Sequence, residues 1–192
     1  EGAGCEVKIG ICGPQSSGKS TLARALAGRL GLPLIEEQAR VVAQGMGVMS
    51  EEMLRRANPE LQVEFQRRCL QQQQRAEAQH PGGFVSDRTV VDNAAYWLAW
   101  NYARANLYYR YGYLVDCQRH ATSYDLIVYC PPLGTEPEDD GFRIPSRLYQ
   151  QEIDLLIRTL LVGWELPFIT VEGSVEERVQ QVLSEVTKGV SA

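Results

Sequence analysis

Gly13-Pro14-Gln15-Ser16-Ser17-Gly18-Lys19-Ser20 has the glycine, lysine and serine spacing of a loop that cradles phosphate. Gly13 and Gly18 permit backbone angles and a close approach that a side chain would block, so successive N–H groups turn inward at a helix N-terminus. Lys19 reaches the β- and γ-phosphates as a mobile point charge, and the Ser20 hydroxyl is placed for a magnesium ion. Together with Gln15, Ser16, Ser17 and Thr21, these residues are the expected contacts for a nucleoside triphosphate. A glycine-rich turn without a ligand is the plainer alternative. Outward from the loop, Val7 to Cys12 is β-branched and alternating enough for a first strand, and Thr21 to Leu30 is apolar at helical spacing. Strand, loop and helix stand in the order the phosphate site needs.

Strands that alternate with helical segments predict an α/β fold, a parallel sheet wrapped on both faces. Leu32 to Glu36 reads as a short second strand, with a helix over Glu37 to Gln44 broken at Gly45-Met46-Gly47. Pro59 to Gln79 is a long amphipathic helix, stopped by Pro81-Gly82-Gly83. Phe84 to Asp87 is a buried strand with a polar end. A second long helix is expected from Asp92 or Asn93, carrying Tyr96, Trp97, Trp100, Tyr102, Tyr108, Tyr109 and Tyr111; rings at helical spacing are read as core, with stacking on a ligand ring as the alternative. Tyr124 to Cys130 is a fourth strand, Ser146 to Gly163 a helix, Phe168 to Glu172 a fifth strand and Val175 to Lys188 a closing helix.

The 192 residues fit a single domain spanning 1–192, and the net charge of −5 argues against a general nucleic-acid or membrane-surface binder. The five scattered cysteines include no CxxC pair, so neither a disulfide framework nor a zinc site is expected; Cys117 and His120 are at most half of a metal site. No apolar run reaches the roughly 20 residues of a membrane span, and no secretory signal is recognisable before the first strand. The expected setting is a reducing cytoplasm.

In an open parallel sheet, ligands bind beyond the carboxyl ends of the strands, which here carry Glu36, Glu37 and Asp87. Asp87 is expected to face the magnesium ion, with an ordinary strand-end turn as the alternative. Arg88 follows it where hydrolytic ATPases usually have a glutamate. A kinase needs instead a carboxylate for the acceptor's proton, met by Asp87 or Glu37, and cations on the acceptor side, met by Arg88 and Arg40. Glu37 and Arg40 are spaced for one helix face, so a plain surface ion pair remains open. The glycine- and proline-rich stretch over about 131–147 reads as a lid bringing Arg143 and Arg147 over the triphosphate; a mobile surface loop is the alternative. Gly173 and Ser174 lie where the nucleotide base would rest.

Ser16-Ser17-Gly18-Lys19-Ser20-Thr21, Glu37-x-x-Arg40, Ser86-Asp87-Arg88-Thr89 and Asp140-Gly141-x-Arg143 resemble, over nearly the whole chain, an AAA-domain family. That family is typified by the kinase half of bifunctional nicotinamide-nucleotide adenylyltransferase/ribosylnicotinamide kinases. The resemblance implies a P-loop NTPase fold of the nucleoside/nucleotide kinase type: five parallel strands, helices on both faces and a lid. It further implies ATP and Mg²⁺ as cosubstrates and phosphorylation of a small nucleoside- or nucleotide-like acceptor. The chain lacks any adenylyltransferase domain, and Met49 to Gln79 and the aromatic helix match no acceptor motif. A regulatory nucleotide switch and a kinase acting on a modified base in nucleic acid are the competing readings. The switch loses ground because Asn-Lys-x-Asp is absent and no glutamate follows Asp87. An apolar face on the aromatic helix would suit a homodimer.

Overall fold

A computed structural model describes residues 6–100 and 106–190. Cys5, Tyr102 and the side chain of Tyr108 lie outside the described residues. The strands are β1 (Lys8–Cys12), β2 (Leu34–Ile35), β3 (Phe84–Asp87), β4 (Leu126–Tyr129) and β5 (Phe168–Thr170), all parallel in the order β2-β3-β1-β4-β5. The helices are α1 (Lys19–Leu30), α2 (Gln38–Gly45), α3 (Glu51–Arg56), α4 (Pro59–Ala78), α5 (Val90–Trp100), α6 (Leu107–Ala121), α7 (Arg147–Gly163) and α8 (Val175–Val190).

Alternation along the strands divides the core, as the two-residue strand period requires. Ile9, Ile11, Val85 and Val128 pack with Leu22, Leu26, Val179 and Val182 of α1 and α8. Phe84, Ile127 and Tyr129 face the opposite side, against Trp97, Tyr113, Ile153 and Ile157 of α5, α6 and α7. Leu54, Phe65, Cys69 and Val42 form a third cluster beneath α2, α3 and α4. Cys12, Cys69, Cys117 and Cys130 are buried free thiols. Burial raises each of their pKa values, Cys130 to about 11, so they serve as neutral packing groups.

Three features depart from the sequence expectation. The single aromatic helix is two, α5 and α6, the second started by Asn106, whose Oδ1 accepts the Tyr109 N–H at 3.1 Å. α5 also starts earlier, at Val90. Thr89 Oγ1 accepts the Val91 N–H at 3.1 Å, and Asp92 accepts the Thr89 N–H at 2.9 Å, a reciprocal cap that Thr89-x-x-Asp92 spells in the sequence. Finally, α3 is a helix of six residues, too short for its periodicity to register; Ser50 caps it by accepting the Met53 N–H at 3.1 Å. Among the described residues no helix is long and apolar enough to cross a membrane.

Register decides what meets at the sheet's carboxyl edge. Ile11 pairs with Asp87, setting the phosphate loop beside the end of β3. Ile35 pairs with Ser86, so two residues further on Glu37 arrives beside Arg88.

Candidate active site

Gly13 has φ +149°, and a Cβ there would lie 2.3 Å from the Cys130 carbonyl oxygen; only glycine fits. Gly18, at φ +81°, starts α1. The loop is braced from behind. Arg178 of α8 donates from Nη1 to the Ser17 carbonyl at 3.0 Å, and Gln150 of α7 donates from Nε2 to the Gln15 carbonyl at 2.7 Å. Fully buried Asp92 accepts the Gly13 N–H at 3.2 Å and the Thr89 hydroxyl at 3.0 Å, and lies 3.6 Å from Arg88 Nη1. Breaking such a buried pair costs about 3–5 kcal/mol, so Asp92 locks the loop to β3 and Arg88.

Beyond the strand ends lies a cleft of about 520 Å³ lined by Ser16 to Thr21, Arg40, Asp87 and lid residues. Next to it, under the lid, a narrow cavity of about 40 Å³ is walled by Phe65, Tyr96, Trp100 and Phe142, with Gln66 and Asn93 supplying amides. Glu37, Arg88 and Arg143 line both. Glu37 Oε1 ion-pairs with Arg88 Nε at 2.9 Å and with Arg143 Nη2, while Oε2 accepts from Arg40 Nε at 3.4 Å. The Glu37–Arg40 pair is thus part of a cluster rather than a surface pair. Arg88 takes φ +95°, uncommon for a side-chain-bearing residue, and its guanidinium lies over the Tyr96 ring at 5.2 Å. The lid tip is a tight turn: Asp140 accepts the Phe142 and Arg143 N–H groups at 3.0 and 2.8 Å and pairs with Arg40.

Of the residues read from sequence, Ser16, Ser17, Gly18, Lys19, Ser20, Thr21, Glu37, Arg40, Asp87, Arg88 and Arg143 gather around the cleft. Gln15 turns away, its Oε1 taking the Tyr96 hydroxyl at 3.4 Å. Arg147 is not brought in: as the first residue of α7 it is half exposed and pairs with Glu136 at 3.5 Å. Trp97 packs as core against Tyr113, ring centroids 4.3 Å apart, whereas Tyr96 and Trp100 of the same helix wall the cavity. Periodicity separates these faces but cannot say which one meets a ligand.

The loop fits a triphosphate. Lys19, 5% exposed, bends back to the Pro14 carbonyl and to Ser17 Oγ at 3.2 Å, acceptors that a phosphate oxygen would replace. The Asp87 carboxylate has no bonding partner among the described residues, and it faces the cleft with the Ser20 hydroxyl. Among the described residues no three His, Cys, Asp or Glu side chains cluster for a metal.

Burial, reinforced by Arg88 and opposed by Asp92 and Asp87, pulls the Lys19 pKa down to about 8. The ammonium is therefore present below that pH and lost above it. Affinity for a triphosphate is expected to fall as pH rises through 8, by about tenfold at pH 9, as one proton must be regained on binding. A fluorescent ATP analogue titrated with magnesium from pH 7 to 9.5 reads this directly. Lys19→Arg, whose guanidinium stays charged, should flatten the profile; a wild-type affinity level to pH 9.5 would contradict the placement.

No curated protein matches the sequence. In fold the chain is similar to NadR protein in complex with NR (17% identity, TM-score 0.70, covering 97% of this chain and 52% of that one). It is also similar to deoxyadenosine kinase from M. mycoides with bound products (15%, TM-score 0.67, 94% and 99%) and to shikimate kinase from Acinetobacter baumannii with shikimate (15%, TM-score 0.59, 95% and 93%). The chain thus spans about half of NadR and nearly all of the other two. At these identities the likeness is one of fold, the five-stranded P-loop architecture that the sequence pattern predicts. The family match is to the AAA domain, AAA_28, and runs over residues 8–178, from the first residue of β1 to the arginine that braces the phosphate loop; the chain belongs to that family.

Proposed function

We propose that the protein is a magnesium-dependent phosphotransferase that moves the γ-phosphoryl group of ATP to a hydroxyl of a small, nucleoside-like acceptor. The observation that carries this reading is the meeting of the phosphate cleft and the aromatic cavity at Glu37, Arg88 and Arg143. A nucleotide switch has no use for a second, ring-lined cavity opening on the site of the γ-phosphate. Phe65, Tyr96, Trp100 and Phe142 suit a flat ring, and the amides of Gln66 and Asn93 suit its polar edge. Gln66 is 3% exposed, and Asn93 Nδ2 is buried without a partner.

Each residue then has a task. Lys19 and the loop N–H groups hold the β- and γ-phosphates, and Arg88 and Arg143 offset charge on the transferring group. Glu37, reaching both spaces, takes the proton of the acceptor hydroxyl as its oxygen attacks γ-phosphorus and the bond to the β–γ bridging oxygen breaks, releasing ADP. Ser20 and Asp87 would hold magnesium, which supplies charge neutralisation on the phosphates. The cavity, about 40 Å³, is far below the roughly 300 Å³ of a small-molecule pocket, so the side chains that wall it must move apart for the acceptor to enter.

ADP release from MgATP, measured with pooled nucleosides, nucleoside monophosphates, nicotinamide riboside and shikimate, tests the reading. Stimulation by one pool, abolished in Lys19→Ala, is expected. Slow hydrolysis indifferent to every pool would count against an acceptor kinase and favour the switch.

A further inference from the structure

Glu51 is 2% exposed, yet it makes no ion pair among the described residues. A carboxylate in that position costs several kcal/mol of desolvation unless its bonds are good and do something that an apolar side chain would not. Its bonds converge on the lid. As the first residue of α3 it has a main-chain N–H that the helix leaves unpaired, and this donates to the Phe142 carbonyl at 2.7 Å. Its Oε2 accepts the Ile144 N–H at 3.1 Å, and its Oε1 accepts the Tyr149 hydroxyl at 2.6 Å. Tyr149 in turn takes the Trp100 indole N–H at 2.5 Å, and the Arg55 guanidinium covers the Tyr149 ring at 4.3 Å.

We propose that Glu51 is a positioning residue for Arg143, α3 clasping the lid on both sides of that arginine and so fixing where its guanidinium lies. The carbonyl before Arg143 and the amide after it are both bonded to one residue, which leaves the intervening backbone little freedom. The Arg143 side chain is accordingly only 11% exposed and directed at Glu37, between the two cavities. Since Glu51 and Leu54 also line the aromatic cavity, the clasp ties the arginine to the wall that an acceptor would touch. Burial raises the Glu51 pKa against the bonds from Tyr149 and Ile144, in keeping with a carboxylate kept for its hydrogen bonds.

The geometry stands by itself; its catalytic consequence rests on the phosphotransfer reading, and the test separates the two. Tryptic cleavage of the Arg143–Ile144 bond needs no acceptor. Glu51→Ala should speed it about tenfold or more while binding of a fluorescent MgATP analogue is unchanged; an unchanged cleavage rate overturns the clasp even if no acceptor is ever found. With an acceptor in hand, Glu51→Ala should lower kcat by about 10²-fold, the scale of a 1 Å misplacement, with KM for ATP nearly constant. In an Arg143→Ala background the same change should cost less than about twofold, because Glu51 acts through that arginine. An equal loss in both backgrounds overturns the proposal. Glu51→Gln, which keeps an oxygen for the Ile144 N–H, should recover most of the rate, and it carries the same cycle if the alanine variant does not fold.

Discussion

Arg143→Ala is expected to lower kcat by about 10³-fold while the affinity for MgATP changes less than about threefold. The two effects part because of where the guanidinium sits. On the proposed reading the loop amides and Lys19 would hold the triphosphate from beneath, whereas Arg143 reaches from the lid to the point shared by cleft and cavity. Burial pulls its pKa down to about 10, still high enough to keep it charged at neutral pH. It can therefore meet negative charge that develops on the transferred group. Lysine at 143 restores the charge but not the planar fork, and should recover only part of the loss. The control lies four residues away. Arg147, half exposed and paired with Glu136, should tolerate alanine with less than about a twofold effect. The assays are acceptor-dependent ADP release and a fluorescent nucleotide titration. A loss confined to KM for ATP, or an equal loss at Arg147, would remove Arg143 from its assigned place.

The contrast between Arg143 and Arg147 also marks how far the sequence can be read. The fold was legible because its signals are local: a glycine loop between an alternating strand and an apolar helix, then strands returning at intervals with Pro and Gly between them. That Lys19, Ser20 and Asp87 meet at one cleft was legible for the same reason, since they follow or end strands whose carboxyl ends must converge. Which lid arginine turns inward was not, because that depends on the turn closed by Asp140 and on the clasp from Glu51, 92 residues away in the chain. Asp92 reads in the sequence as an acid at a helix start, and its spacing from Thr89 announces a cap; that it also reaches Gly13 appears only when β1 and β3 lie side by side. The aromatic cavity was hidden because its rings come from three separate segments, Phe65 on α4, Tyr96 and Trp100 on α5 and Phe142 in the lid. Tyr96 and Trp97 are neighbours in sequence, yet one faces the cavity and the other the core.

Asp87 and Glu37 were equal candidates for the acceptor's proton on sequence grounds, and substitution at each should separate them. Glu37→Gln is expected to lower kcat by about 10² to 10⁴-fold, the usual worth of a placed proton acceptor. Glu37 lines both cavities, whereas Asp87 lines the phosphate cleft alone. Removing the charge also frees Arg88 and Arg143 from their shared partner, so the rate alone does not identify the role. Two further readouts do. A base that must be ionised gives kcat an acid limb, and the residual activity of Glu37→Gln should lack it. Asp87→Asn should keep that limb and instead need several-fold more magnesium for half-maximal rate, because a carboxylate that orients the ion has been neutralised. The opposite pattern, with the acid limb lost in Asp87→Asn and the magnesium requirement raised in Glu37→Gln, would exchange the two roles. It would also leave the three guanidiniums around Glu37 as an anion site in which the glutamate holds the place of the phosphoryl group between turnovers.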